Sequence, residues 1–150
     1  MKGAQDRPRV AQATALAQAL SAVTGKLKRR LRDQAHVGDL TPSQVSVLLL
    51  LEKNGAATAS SLARAEGMRP QSMAPLLAAL EGSGLVRRSQ DPEDGRQTLL
   101  SLTDSCHKWL KEGRAARQDW LTRTIQARFT PQEQGDLARA IELLKRLVDE

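Results

Sequence analysis

The sequence predicts a mostly α-helical chain carrying one small β-hairpin. Three observations carry that expectation. Between Ala59 and Leu102 the segment SSLARAEG closes at Gly67, and PQSMAPLLAALEGSG follows after a tight break and closes between Gly82 and Gly84; LVRRSQ and TLLSL then flank the polar turn DPEDGRQ. Apolar residues recur at helical spacing on both sides of this block. Aromatic residues make up only 2% of the chain, so the core must be built from leucine and alanine. Two short helices followed by a hairpin give the order of a winged helix-turn-helix, set here between long N- and C-terminal helices.

The elements follow in turn. Leu16, Leu20, Val23, Leu27 and Leu31 recur at steps of four, three, four and four, the apolar stripe of a long helix from about Val10 to Ala35. In Leu40-Thr41-Pro42-Ser43-Gln44, Thr41 caps a helix, Pro42 takes its first position and Gln44 completes a capping box. The helix that follows, with the core VSVLLLLEK, is apolar on most sides, as expected of a helix buried in the middle of a small bundle; Asn54-Gly55 stops it. Thr58 caps the short helix Ala59 to Glu66, and Gly67 supplies the left-handed residue that ends it. Past the hairpin, Leu102-Thr103-Asp104 starts a helix to about Arg128, with Trp109 and Trp120 on nearly the same face. A second box, Thr130-Pro131-Gln132-Glu133, opens the last helix, which carries Leu137, Ile141, Leu144 and Leu147. The expected organisation is a single domain, 1–150: a winged helix-turn-helix over 40–102, and helices over 10–38 and 103–150 whose apolar stripes are hard to bury in one copy and so pair with a second.

A net charge of +6 favours a polyanionic partner. The excess lies in the first 36 residues, with KLKRRLR at Lys26 to Arg32, and between Lys108 and Arg128. From Arg64 to Arg96, five arginines face five acids, so phosphate attraction must depend on where individual arginines point. The single cysteine, Cys106, excludes an internal disulfide and fits a reducing compartment. No apolar run approaches the length of a membrane span and no secretory signal is legible, so the expected location is cytoplasmic, away from membranes. The scarcity of aromatics disfavours stacking on single strands. His36 and His107 lack companions at ligand spacing, so no metal is expected. No nucleophile elbow, phosphate loop or paired acids survive inspection, so neither an enzyme nor a cofactor is expected. Trp109 and Trp120 are expected to pack, and Cys106 to be a small buried hydrophobe rather than a redox sensor.

A helix presented after a short turn fits the major groove of double-stranded DNA, and an arginine at a hairpin tip reaches the neighbouring minor groove. Arg96, between Gly95 and a β-rich strand, is the candidate for that insertion, and Gln71 can read adenine bidentately. Arg87 and Arg88 alternate across a strand, so one meets DNA or an acid and the other solvent; Arg88 is the candidate contact.

From Leu40 to Leu102 the chain resembles the multiple-antibiotic-resistance-regulator (MarR) family of bacterial transcription factors. The likeness rests on LTPSQVSVL, SLARAEGMRPQS and LAALEGSGLVRR, and above all on DPEDGRQTLLSLT. What it implies is an obligate homodimer that represses neighbouring genes from a palindromic operator and is released by a small aromatic or phenolic ligand. By family position, Gln71, Ser72, Met73 and Ala74 face base edges, Arg69 stands at the helix entrance, Arg96 at the wing tip, and Asp94 orients Arg96 by a charge-assisted hydrogen bond to its guanidinium. The chain departs from the family in three places. Arg69 replaces the usual Ser or Thr cap, Pro75 falls inside the reading helix where it should cost a backbone hydrogen bond and bend it, and Gly95 stands where a second wing arginine is common. Two other classes stay open: a sequence-nonspecific architectural DNA-binding protein, supported by the basic flanking helices, and a winged-helix interaction module that has lost DNA reading.

Overall fold

A computed structural model describes residues 3–35 and 38–149. The chain runs α1 (Gly3–Gln34), α2 (Pro42–Asn54), α3 (Ala59–Glu66), α4 (Pro70–Gly82), β1 (Val86–Gln90), β2 (Thr98–Leu102), α5 (Asp104–Arg128) and α6 (Pro131–Val148). It divides into two compact units: Val37–Arg114, and Met1–His36 with Ala115–Glu150. Among the described residues, no helix is long and apolar enough to cross a membrane.

The winged unit is built on satisfied helix ends. At α2, the Thr41 hydroxyl accepts the Gln44 amide at 3.2 Å and the Gln44 side chain accepts the Thr41 amide at 2.8 Å, so the expected capping box is formed. Thr58 caps α3 by accepting the Ser61 amide. Gly67, at φ 63° and ψ 30°, ends α3 in the left-handed region, and the Met68 amide then reaches back to the Ala63 carbonyl at 2.8 Å. That closure leaves only Gly67, Met68 and Arg69 between α3 and α4, which is why the turn of the helix-turn-helix is tight.

β1 and β2 form an antiparallel pair, with Val86 opposite Leu102 and Gln90 opposite Thr98. Inward residues Val86, Leu100 and Leu102 join Val47, Leu48, Leu51, Leu62, Ala63, Met73, Leu77, Leu80 and Cys106 in one core. A feature without a sequence signal completes the sheet. Ala57, in the α2–α3 connection, exchanges both backbone hydrogen bonds with Leu100 at 3.0 and 2.7 Å, a one-residue third strand. α2 is less completely buried than its composition suggests, for Leu49 is 44% exposed.

Thr103 does two things at the start of α5. Its hydroxyl accepts the Cys106 amide as a helix cap and donates to the Gly84 carbonyl at 2.7 Å, while its amide donates to the Leu85 carbonyl at 3.1 Å. The end of α4 and the beginning of α5 are thereby clasped across the base of the hairpin.

In the other unit, α1 begins at Gly3, ahead of the expected start near Val10. Pro8 lies inside the helix, where it deprives only the residue-4 carbonyl of its partner, a small loss near a helix end. α6 opens with the expected box, the Thr130 hydroxyl accepting the Glu133 amide and the Glu133 carboxylate the Thr130 amide. Those bonds hold the Glu133 carboxyl below its ordinary range. Val10, Leu16, Val23 and Leu27 on α1, and Ile141, Leu143, Leu144, Leu147 and Val148 on α6, are exposed.

Candidate nucleic-acid interface

α4 is a helix with an inner row and an outer ridge. Met73, Leu77 and Leu80, at steps of four and three, are wholly buried. Arg69, Gln71, Ser72 and Ala74 are exposed around the entrance to the helix. Met73, expected at a base edge, has no exposed surface to offer a base and serves the core instead; its spacing to Leu77 and Leu80 is the signal that family position overrode.

The Arg69 side chain makes no capping bond, and the helix start is closed by the backbone. The Arg69 carbonyl accepts the Ser72 amide at 3.0 Å and the Met73 amide at 3.1 Å. Pro70 at the first helical position has no N–H to satisfy. The guanidinium of Arg69 is therefore not consumed in holding the helix together. Pro75 removes the donor for the Gln71 carbonyl, yet α4 continues unbroken from Pro70 to Gly82.

The wing tip is fixed by two aspartates. The Asp91 carboxylate accepts the Glu93 amide at 2.9 Å, and the Asp94 carboxylate accepts the Arg96 amide at 3.1 Å. The turn closes through Asp91 N–H to the Gln97 carbonyl and Gln97 N–H to the Asp94 carbonyl, both at 3.0 Å. Asp94 thus organises Arg96 through its backbone, rather than through the guanidinium as expected. The Arg96 side chain is exposed and makes no hydrogen bond or ion pair among the described residues. Of the two strand arginines, Arg88 meets an acid: its Nε donates to Glu81 at the end of α4 at 2.5 Å. Arg87 donates to the Ser101 hydroxyl at 3.3 Å.

Elsewhere in the unit, Arg114 on α5 grips Glu52 on α2 with two hydrogen bonds of 2.7 and 2.9 Å. The bidentate guanidinium holds the Glu52 carboxyl below its usual range. Sequence pattern gave no sign of this pair, whose partners are far apart in the chain. Cys106 is fully buried, and burial, reinforced by the Glu52 charge, pushes its thiol up to about 11. The thiolate that redox chemistry needs is suppressed, in keeping with the packing role expected of it. Trp109 packs partly buried against the core and Trp120 is half-buried. His36 lies outside the described residues, and among those described no three metal-ligating side chains gather.

The MarR family model matches residues 40–98, the segment from the cap of α2 to the start of β2. An HTH-type transcriptional regulator of Mycobacterium tuberculosis is 38% identical over 135 residues, covering 90% of this chain and 94% of the relative. The crystal structure of a transcriptional regulator protein from Pseudomonas aeruginosa PA01 shares 36% identity and a TM-score of 0.79, over 93% of this chain and 98% of that one. A mutant MepR from S. aureus, solved bound to an oligodeoxyribonucleotide, shares the fold with a TM-score of 0.71 at 21% identity, over 88% and 97% of the two chains. With a closed helix-turn-helix, an aspartate-braced wing and relatives matched over nearly their whole length, the chain belongs to the MarR family of DNA-binding transcriptional regulators, and it is not an enzyme.

Proposed function

We propose that the protein is a cytoplasmic repressor that binds a palindromic operator as a homodimer and is released by a small organic ligand, aromatic or phenolic in the reading the family resemblance implies. The observation that carries the DNA assignment is the unpaired, outward Arg96 on a rigidly braced tip in the same unit as the open first turn of α4. In this reading Gln71 and Ser72 meet base edges or phosphate, Arg69 meets phosphate at the helix entrance and Arg96 enters the minor groove. Asp94 braces the tip. Arg88 acts through Glu81 to tie the wing to α4 rather than by touching DNA.

Support for the dimer comes from the exposed apolar residues of α1 and α6. Exposed leucines and valines on two long helices are what a second copy would cover. A twofold axis between two winged units presents the reading helices roughly 34 Å apart, one turn of DNA. A ligand acts on such a dimer by preferring one spacing of the reading helices over another, and it shifts operator affinity only by the size of that preference.

The test is fluorescence anisotropy against the intergenic DNA upstream of the protein's own gene, with scrambled competitor and a salt series. Binding that survives competitor with two chains per site is the expected result. Arg96→Ala is expected to weaken it about tenfold, roughly 1.4 kcal/mol; a change within about twofold removes the wing role. Binding equal to scrambled DNA would assign the architectural role, and none at low salt the interaction module.

A further inference from the structure

The outermost line of α4 has a composition that the family assignment does not explain. With 3.6 residues per turn, Gln71, Pro75, Ala78 and Gly82 stand at steps of four, three and four on one ridge, opposite the buried row of Met73, Leu77 and Leu80. All four are exposed. Ala74 and Ala79 flank the ridge, also exposed. Beyond its first turn, the face that a reading helix turns toward bases therefore carries no charge and no side-chain hydrogen-bonding group until Glu81, whose carboxylate is engaged with Arg88.

Such a ridge has a specific complement in the major groove. Guanine presents two acceptors there, cytosine a donor and adenine one of each, and a side chain of carbon alone satisfies none of them. Pressed against those groups, Pro75 and Ala78 would strip water from polar edges and return nothing. Thymine is different, because its C5-methyl projects into the groove as an apolar group. The small size of alanine and glycine also lets the helix lie close to the base edges along this line.

We infer that Pro75 and Ala78 are specificity-determining residues that read thymine methyl groups, with Gln71 as the hydrogen-bonding reader at the head of the ridge. The inference rests on the proposed operator-binding function and deepens it. Each half-site then contains thymines whose methyl groups, not their hydrogen-bonding edges, set the affinity. Pro75 suits this role through its ring, which presents carbon alone on the exposed ridge.

The experiment uses the full-length protein and the operator found by the competition assay. Each thymine of both half-sites is replaced symmetrically by deoxyuridine, which removes the methyl and leaves the base-pairing edge intact. Losing one buried methyl from each half-site is expected to weaken binding about tenfold in total, roughly three- to fourfold per methyl. The effect should be confined to one or two positions per half-site. Pro75→Ala, which restores a helical hydrogen bond and should fold at least as well, is expected to bind the thymine operator more weakly and to lose most of the thymine-over-uracil preference at one position. Ala78→Gly should do the same at the neighbouring one. A flat deoxyuridine scan with site-specific binding intact overturns this inference and leaves the operator-binding function standing. A preference that survives unchanged in both variants also overturns it, by assigning the methyl contact to other residues. Absence of any site-specific binding removes this inference together with the function it rests on.

Discussion

The two units of the chain solve the problem of burial differently. Val37–Arg114 encloses a continuous core, with Val47, Leu48, Met73, Leu77, Leu80, Leu100 and Cys106 fully out of solvent. In Met1–His36 with Ala115–Glu150, Ala35 is the only buried residue among those described, although the helices are the longest in the molecule. Both units have helices that start at satisfied caps: Thr41 with Gln44 in the first, Thr130 with Glu133 in the second. Local helix chemistry is thus equal in the two, and what separates them is tertiary burial. The lesson is that a helix can be fully specified by its own sequence while its apolar face remains unspent, available to another chain.

Each unit can be attacked where it differs from the other. Leu77→Ala empties space in the closed core and is expected to lower stability by about 2 to 5 kcal/mol, measured by urea unfolding followed through circular dichroism. A loss below about 1 kcal/mol would mean that the core is not closed by this row. Next in size, Ile141→Glu combined with Leu144→Glu places charge on the exposed stripe of α6. Sedimentation equilibrium should show self-association weakened at least a hundredfold, about 2.7 kcal/mol, with the winged unit still folded. Wild-type protein sedimenting as a monomer at tens of micromolar would end the idea that a second copy covers this face.

Capping variants sharpen the point at smaller magnitude. Thr41→Ala and Thr130→Ala remove the same box from opposite units, and each should lose about 1 kcal/mol in thermal unfolding. Equal losses would show that the units differ in packing alone. The smallest effect belongs to Glu52, whose carboxyl is held below its ordinary range chiefly by hydrogen bonding from Arg114. A carboxylate with a depressed folded-state pKa adds stability that is complete above its unfolded value, about 4.3, and is lost as pH falls through the folded one. Glu52→Gln should therefore flatten the acid limb of the stability profile while leaving the shape of the curve above neutrality unchanged. An unaltered acid limb would show that the pair sets geometry only.

The range over which residues act decides what the sequence could reveal. Capping boxes, the Gly67 stop and the hairpin all depend on residues a few positions apart, so Thr41, Thr130 and the turn DPEDGRQ declared them. The Ala57–Leu100 bridge and the Glu52–Arg114 pair join residues whose proximity is created only by the fold, and nothing local marks either partner. Met73 was legible in principle, because its spacing to Leu77 and Leu80 fits the inner row, but the expectation followed family position and set it at a base. At the wing, the residue types were visible but not their use, because an aspartate two residues before an arginine can hold either its amide or its guanidinium. In this chain the Asp94 carboxylate takes the amide, which leaves the charge of Arg96 free.

The burial of Cys106 makes the chain its own reporter. Since the only thiol of the sequence sits in the core of the winged unit, a maleimide or disulfide reagent can reach it only when that core opens. The rate of modification in the native protein then measures the opening equilibrium of the reading unit directly, without any introduced label. Operator DNA that binds the closed form should slow the reaction in proportion to occupancy, so a single chemical trace follows both the stability of the core and its engagement with DNA.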